Sequence, residues 1–241
     1  MFFYIYDEHA LAPTQADALA KVEGRIIELG INGRVEKLAP LRNIKSLIEI
    51  ALKQKMHTVV VVGGDETLLR VLNLIAASSL VLGFIPFQKN SQLANLFGIT
   101  DTFEACNILS RRIVRSLDLG KVNQNFFLRE LSCTSLADVR IECDGKYTVS
   151  SNERFGSATI SVLGERLQLA ITTQAKPTGW LKKRSALPDR TTLFAEHITI
   201  QHQTEPVAML LDQLTTLKTP LTIIAKPHQV KMVVGKSHQL R

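Results

Sequence analysis

The chain has 241 residues, 29 basic against 22 acidic side chains, 45% hydrophobic residues and a net charge of +7. That length accommodates one large or two small domains, and the ordinary apolar content excludes disorder as the dominant state. No stretch approaches the ~20 consecutive apolar residues of a membrane-spanning helix, and the opening Met1-Phe2-Phe3-Tyr4-Ile5-Tyr6 lacks the basic leader and length of a signal peptide, so the expected location is the cytoplasm. Cys106, Cys133 and Cys143 have neither metal-ligand spacing nor an even number for a disulfide framework, and read as small core residues.

Up to about residue 117, short apolar runs alternate with helical periodicity, the pattern of strand-helix units in a parallel sheet. Strands are predicted at Phe2 to Tyr6, Arg34 to Leu38, Thr58 to Val62 and Leu80 to Ile85. Leu19, Val22, Ile26 and Leu29 predict a helix closed by Gly30, and a second helix follows Asn43 with Ile44, Leu47, Ile48 and Ala51 on one side. The unbroken run Val59-Val60-Val61-Val62 predicts a strand covered on both faces, at the centre of the sheet.

From Leu117 onward short strands with turn signals replace the helices. Asp144-Gly145 and Gly164-Glu165 predict hairpins, the latter joining Ala158 to Leu163 with Arg166 to Ile171. Further strands are expected at His197 to Gln201, Val207 to Leu211, Pro220 to Ala225 and Gln229 to Val234. The polar, basic segment Ala175 to Asp189 is expected as a surface excursion. The fold class is thus an α/β N-terminal domain with a mostly parallel sheet plus a mostly β C-terminal domain. The first part holds 13 basic and 11 acidic side chains and the second 16 and 11, so any attraction to anionic surfaces resides in the second. His197 and His202 have opposite strand parity, which argues against a zinc site.

The informative segment is Thr58-Val59-Val60-Val61-Val62-Gly63-Gly64-Asp65-Glu66-Thr67-Leu68-Leu69, a buried strand running through two glycines into an apolar helix. On one reading the missing Cβ atoms, free amides and helix dipole at Gly63 and Gly64 admit a phosphate. On the other, the glycines only make the turn, Asp65 caps the helix and Glu66 adds a favourable first-turn charge.

Gly63-Gly64-Asp65-Glu66-Thr67 resembles the Gly-Gly-Asp-Gly-Thr signature of diacylglycerol kinases, sphingosine kinases, bacterial lipid kinases and NAD kinases. Leu82-Gly83-Phe84-Ile85-Pro86-Phe87, followed by Leu93-Ala94-Asn95-Leu96-Phe97-Gly98-Ile99, is similar to the next lipid-kinase block. Leu117-Asp118-Leu119-Gly120-Lys121-Val122-Asn123 with Phe126-Phe127-Leu128 resembles the strand leading into the family's second domain. The resemblance covers about residues 57 to 128, and more faintly Pro206 to Ile224. It implies residues 1–117 as a nucleotide-binding-like domain and 118–241 as a β-rich lipid-substrate-like domain, the C-terminal tail being free to pack back on the first.

It also implies ATP and Mg²⁺ as cofactors and transfer of a phosphoryl group to a lipid hydroxyl such as that of diacylglycerol. Gly63, Gly64, Asp65, Glu66 and Thr67 would then surround the nucleotide, with Lys89 as a substitute phosphate ligand. Asp65 would hold the metal and act in catalysis with Asp212, which occupies the place of the family's Asp-Gly-Glu base.

The sequence departs from the family at several of these places. Glu66 replaces a motif glycine; a unit charge at ~4 Å from phosphate in an effective dielectric of ~20 would cost up to ~4 kcal/mol. Gln88-Lys89-Asn90-Ser91-Gln92 stands where the family has Gly-Thr-Gly-Asn-Asp, Asp7-Glu8 replaces Asn-Pro, Arg70 replaces an acid, and Asp212-Gln213-Leu214 replaces Asp-Gly-Glu. The alternative is therefore a catalytically degraded relative that binds lipid or regulates without turnover; an NAD kinase fits the downstream blocks less well. Trp180-Leu181-Lys182-Lys183-Arg184 offers an aromatic and three cations for peripheral membrane contact, or else an ordinary basic loop. Dispersed basic residues without interleaved aromatics argue against nucleic acid as a partner.

Overall fold

The computed structural model describes residues 1–38, 43–76, 78–134, 139–151, 155–173 and 190–239. The segments Ala175 to Asp189 and Trp180 to Arg184, expected as a surface excursion and a membrane contact, lie outside the described residues in their structure. The chain divides into two compact units, Met1–Leu117 with His228–Arg241, and Asp118–Pro227.

In the first unit, chain order runs β1 (Phe2–Tyr6), α1 (Glu8–Leu11), α2 (Ala16–Glu28), β2 (Gly33–Lys37), α3 (Ile44–Lys53), β3 (Thr58–Gly63), α4 (Asp65–Ile75), β4 (Val81–Pro86), α5 (Gln92–Leu96) and α6 (Thr102–Arg111), with β5 (Val114–Val122) leading out. A 3-10 turn, Pro13–Gln15, precedes α2. The strands order β2-β1-β3-β4 and all pair in parallel. Val59 to Val62 are fully buried, as their unbroken apolar run requires of a central strand.

Four of the helix starts are set by a short polar side chain, whereas α2 and α4 begin without a side-chain cap. Asp7 caps α1, Asn43 caps α3, Ser91 caps α5 and Asp101 caps α6, each accepting an amide of the first turn. Gly30, predicted to end α2, adopts φ +64°. The buried Cys106 lies in α6, and burial, partly offset by Arg25, pushes its thiol up to about 11.

Among the described residues the second unit holds only strands: β6 (Asn125–Phe127), β7 (Glu130–Cys133), β8 (Val139–Cys143), β9 (Tyr147–Ser151), β10 (Phe155–Leu163), β11 (Arg166–Thr173), β12 (Arg190–Ala195), β13 (His197–His202), β14 (Ala208–Leu211), β15 (Thr215–Lys218) and the first part of β16 (Leu221–Val233). One sheet orders β12-β11-β10-β7-β14-β15, and β13 lies between β8 and the first part of β16. Leu131, Ile160, Leu169 and Met209 from one set of strands join Ile141, Ile198, Ile200 and Ile223 from the other in a single buried core. Asp144 and Gly145, both at positive φ, turn β8 into β9, and Gly164 at φ +61° turns β10 into β11.

The two strands predicted at Pro220 to Ala225 and Gln229 to Val234 are one. β16 pairs antiparallel with β13 through Leu221 to Ile224, then parallel with β4 through Lys231 and Met232. The polar residues between, with His228 at φ +52°, gave the interruption its turn-like signature. Among the described residues no helix is long and apolar enough to cross a membrane.

Candidate functional site

Gly64 is the single residue between the central strand β3 and helix α4. Its φ of −102° and ψ of 168° are extended values open to any residue, so the turn does not need glycine for its dihedrals. It needs glycine for close approach. A Cβ on Gly63 would overlap the Asp7 carboxyl group, and one on Gly64 would sit 2.6 Å from Cδ2 of His9 and 3.0 Å from Oε1 of Gln88. The expectation that the glycines bend the chain is corrected accordingly: they make room for other side chains.

Asp7 follows the last residue of β1, beside the end of β3, because β1 and β3 pair in parallel through Tyr6 and Val62. Its carboxylate is 1% exposed. Oδ1 accepts the amides of His9 at 2.8 Å and Ala10 at 3.3 Å, and Oδ2 accepts the amide of Gly64 at 2.8 Å. The next amide, that of Asp65, donates to Oε1 of Gln88 at 2.9 Å. The two main-chain donors at the strand-helix turn are therefore already engaged by oxygens of the chain itself.

Asp65 is likewise committed. It is buried; Oδ1 accepts the Ser91 hydroxyl, and Oδ2 accepts the amides of Gln92 at 3.0 Å and Leu93 at 3.3 Å. Ser91 Oγ in turn accepts the Ala94 amide at 2.9 Å. One carboxylate thus anchors the start of α5 to the start of α4. Thr67 is buried within the first turn of α4, whereas Glu66 and Lys89 are exposed.

Neither triphosphate nor Mg²⁺ fits this turn as it stands. An entering phosphate must displace Gln88 and approach the buried Asp7 carboxylate, where repulsion at ~4 Å and a dielectric of ~20 reaches ~4 kcal/mol. A metal ion at Asp65 must compete with a hydroxyl and two amides that already satisfy both oxygens. Among the described residues no group of three or more His, Cys, Asp or Glu is gathered so as to hold a metal ion. Asp7, and not the exposed Glu66, is the carboxylate that contacts the main-chain amides of the turn. Asp7 and Gln88 entered the sequence reading only as departures from a family pattern. The signal that identifies them is positional: an acid directly after the strand beside a Gly-Gly turn, and an amide side chain two residues past the end of the next strand.

Asp212 lies in the second unit, at φ +48°, between β14 and β15. Its Oδ2 accepts the amide of Leu128 at 2.9 Å, and Oδ1 those of Arg129 at 2.8 Å and Glu130 at 3.0 Å. The carboxylate clamps the β6–β7 loop. Burial raises its pKa, and the three amides and Arg129 oppose that rise without cancelling it.

Comparison with known proteins gives a consistent lineage. A search of curated proteins returns no match to the sequence. Among solved structures, a diacylglycerol kinase from Bacillus anthracis str. Sterne superposes with a TM-score of 0.79 over 98% of this chain and 97% of that chain, at 16% identity. Two further structures from the same organism give 0.76 at 15% identity, covering 98% of each chain. At these identities the likeness establishes the fold. The family profile described as the diacylglycerol kinase catalytic domain matches residues 2–122, the stretch that carries the glycine turn and the strands around it. On that match the chain belongs to the diacylglycerol kinase catalytic-domain family.

Proposed function

We propose that this chain is a non-catalytic member of its family, a lipid-binding or regulatory protein that does not transfer phosphoryl groups from ATP. The family works in general with ATP, a divalent metal and a lipid substrate. One observation carries the proposal against turnover here: the amides of Gly64 and Asp65 are hydrogen-bonded to Asp7 and Gln88. Phosphoryl transfer depends on positioned donor phosphates and offset charge, and a turn filled by its own carboxylate supplies neither. The commitment of Asp65 and Asp212 to backbone amides supports the same reading, since both serve as anchors of loops. The lipid side of the proposal rests on family membership.

Titration of the purified protein with Mg-ATP by calorimetry tests it. No heat of binding and no thermal stabilisation are expected, alongside retained binding to diacylglycerol-containing mixed micelles. Labelled phosphatidic acid from labelled ATP and such micelles, lost in Asp65→Asn and Asp212→Asn, would establish the kinase reading in its place.

A further inference from the structure

We infer that Asn32 is a site of self-modification: the main-chain nitrogen of Gly33 attacks its side-chain amide, and the residue is converted through a cyclic imide into aspartate and isoaspartate. Asn32-Gly33 is the one Asn-Gly pair in the sequence, and every other asparagine is followed by a residue with a side chain. A Cβ on the following residue shields its main-chain nitrogen, whereas glycine leaves that nitrogen open. The fold fixes the glycine for an unrelated reason. A Cβ on Gly33 would lie 2.2 Å from the carbonyl oxygen of Phe2, so β2 closes against β1 in this register only with glycine there.

The nucleophile faces solvent. In a strand the N–H and C=O of one residue point to the same side and alternate along the chain. The Leu38 amide donates to Tyr6 O of β1 at 2.8 Å. By parity Glu36 and Arg34 also direct their amides toward β1, and Gly33 directs its own outward. β2 is the terminal strand of its sheet and pairs with β1 alone among the described strands, so the Gly33 amide has no ladder bond to surrender. Asn32 is exposed and directly precedes β2. Main-chain groups are held as far as Ile31, whose amide donates to Ile26 O at 3.1 Å and whose carbonyl accepts the Tyr4 hydroxyl at 2.6 Å. Ring closure needs rotation about the Cα–C bond of Asn32, opposed only by the first bond of an edge strand, a place that opens at little cost.

In the reaction the Gly33 nitrogen gives up its proton and bonds to Cγ of Asn32; the Cγ–Nδ2 bond breaks, and the amide nitrogen leaves as ammonia. Water then opens the five-membered imide. Breaking the new bond at Cγ restores the chain with an aspartate. Breaking the original peptide bond leaves isoaspartate, in which the chain runs through Cγ and gains one backbone atom immediately before β2. Either product places a negative charge at the groove between α2 and β2 that Asn32 lines with Tyr4, Ile27 and Val35.

Ageing the purified full chain for days at mildly alkaline pH, with tryptic mass mapping against an unaged sample, tests this. The tryptic peptide from Ile26 to Arg34 contains Asn32 as its sole side-chain amide, so exchange of NH₂ for OH in that peptide is assigned to one position. Conversion should accelerate with pH, because the attacking nitrogen must lose a proton. It should run within about tenfold of the rate in the isolated Ile26-to-Arg34 peptide, as local opening at a strand end allows. It should be lost in Asn32→Gln, whose longer side chain is poorly placed for ring closure. The aged chain should also accept labelled methyl groups from S-adenosylmethionine when a protein-isoaspartate methyltransferase is added, since only the imide route yields isoaspartate. A rate in the chain below the tenfold limit, or a mass gain without methyl acceptance, which marks direct hydrolysis of the side chain, overturns the inference.

Discussion

The carboxylate of Asp7 and the amide of Gly64, 57 positions apart in the chain, meet at 2.8 Å inside the first unit. The Asp7 carboxyl group occupies the space a Cβ on Gly63 would take, as His9 and Gln88 do for Gly64, and its contact with the Gly64 amide leaves the turn little to offer an incoming anion. Asp7→Ala should destabilise the protein by about 2–4 kcal/mol in urea titration, since it removes the cap of α1 and one buried partner of Gly64. Asp7→Asn combined with Gln88→Ala removes the charge and frees the Asp65 amide. That variant should gain measurable phosphate or Mg-ATP binding by calorimetry, where none is expected of the parent chain. Binding that stays undetectable in a folded double variant would show that the turn is closed by more than these two side chains.

Glu66 is exposed on α4, and the amides of the turn are engaged by Asp7 and Gln88. Glu66→Gly should leave Mg-ATP binding undetectable by calorimetry and lower stability by about 1 kcal/mol, through helix propensity and a lost first-turn charge. Measurable ATP binding by this variant would place the obstacle at position 66.

Much of the first unit is written in local patterns. The Val59 to Val62 run, the Leu19 to Leu29 periodicity and Gly30 each specify an element because burial, helical spacing and positive φ depend on few neighbours. The Gly-Gly turn was also legible as a place of close approach. Its occupant was not, because Asp7, Gln88 and the turn come from three different strand ends, and only parallel pairing in the order β1-β3-β4 brings them together. For the same reason Glu66, adjacent in sequence, was the nearer suspect. The β16 break illustrates a second limit: residues at a change of partner strand look like a loop although the strand continues.

Asp65 provides a test that separates anchoring from catalysis. Asp65→Ala removes the acceptor for the Ser91 hydroxyl and for the Gln92 and Leu93 amides, and should cost about 2–4 kcal/mol. Asp65→Asn keeps one carbonyl oxygen for those amides and should cost about half as much. Ser91→Ala, which deletes both the hydroxyl and the α5 cap, should cost about 1–2 kcal/mol. A graded series of this kind, read by urea unfolding, marks a structural anchor. A metal-binding or catalytic role would instead leave stability of the Asn variant intact while removing Mg²⁺ binding or activity.

Asp212 gives the fold a defined pH signature. Because burial outweighs the three amides, its folded-state pKa lies above the ordinary value of 3.8. The folded state then holds a proton more tightly than the unfolded chain, so the contribution of Asp212 to stability is complete below about pH 3.8 and declines as pH rises through the raised folded value. Asp212→Asn removes this titration and also leaves the Leu128 amide facing an NH₂ group instead of an oxygen. Unfolding free energy measured from pH 3.5 upward should therefore fall less with pH in Asp212→Asn than in the parent over that window, with the variant less stable throughout by about 1–3 kcal/mol. A parent chain that gains stability relative to the variant across that interval would mean the amides dominate, and that the clamp on the β6–β7 loop holds a fully ionised carboxylate.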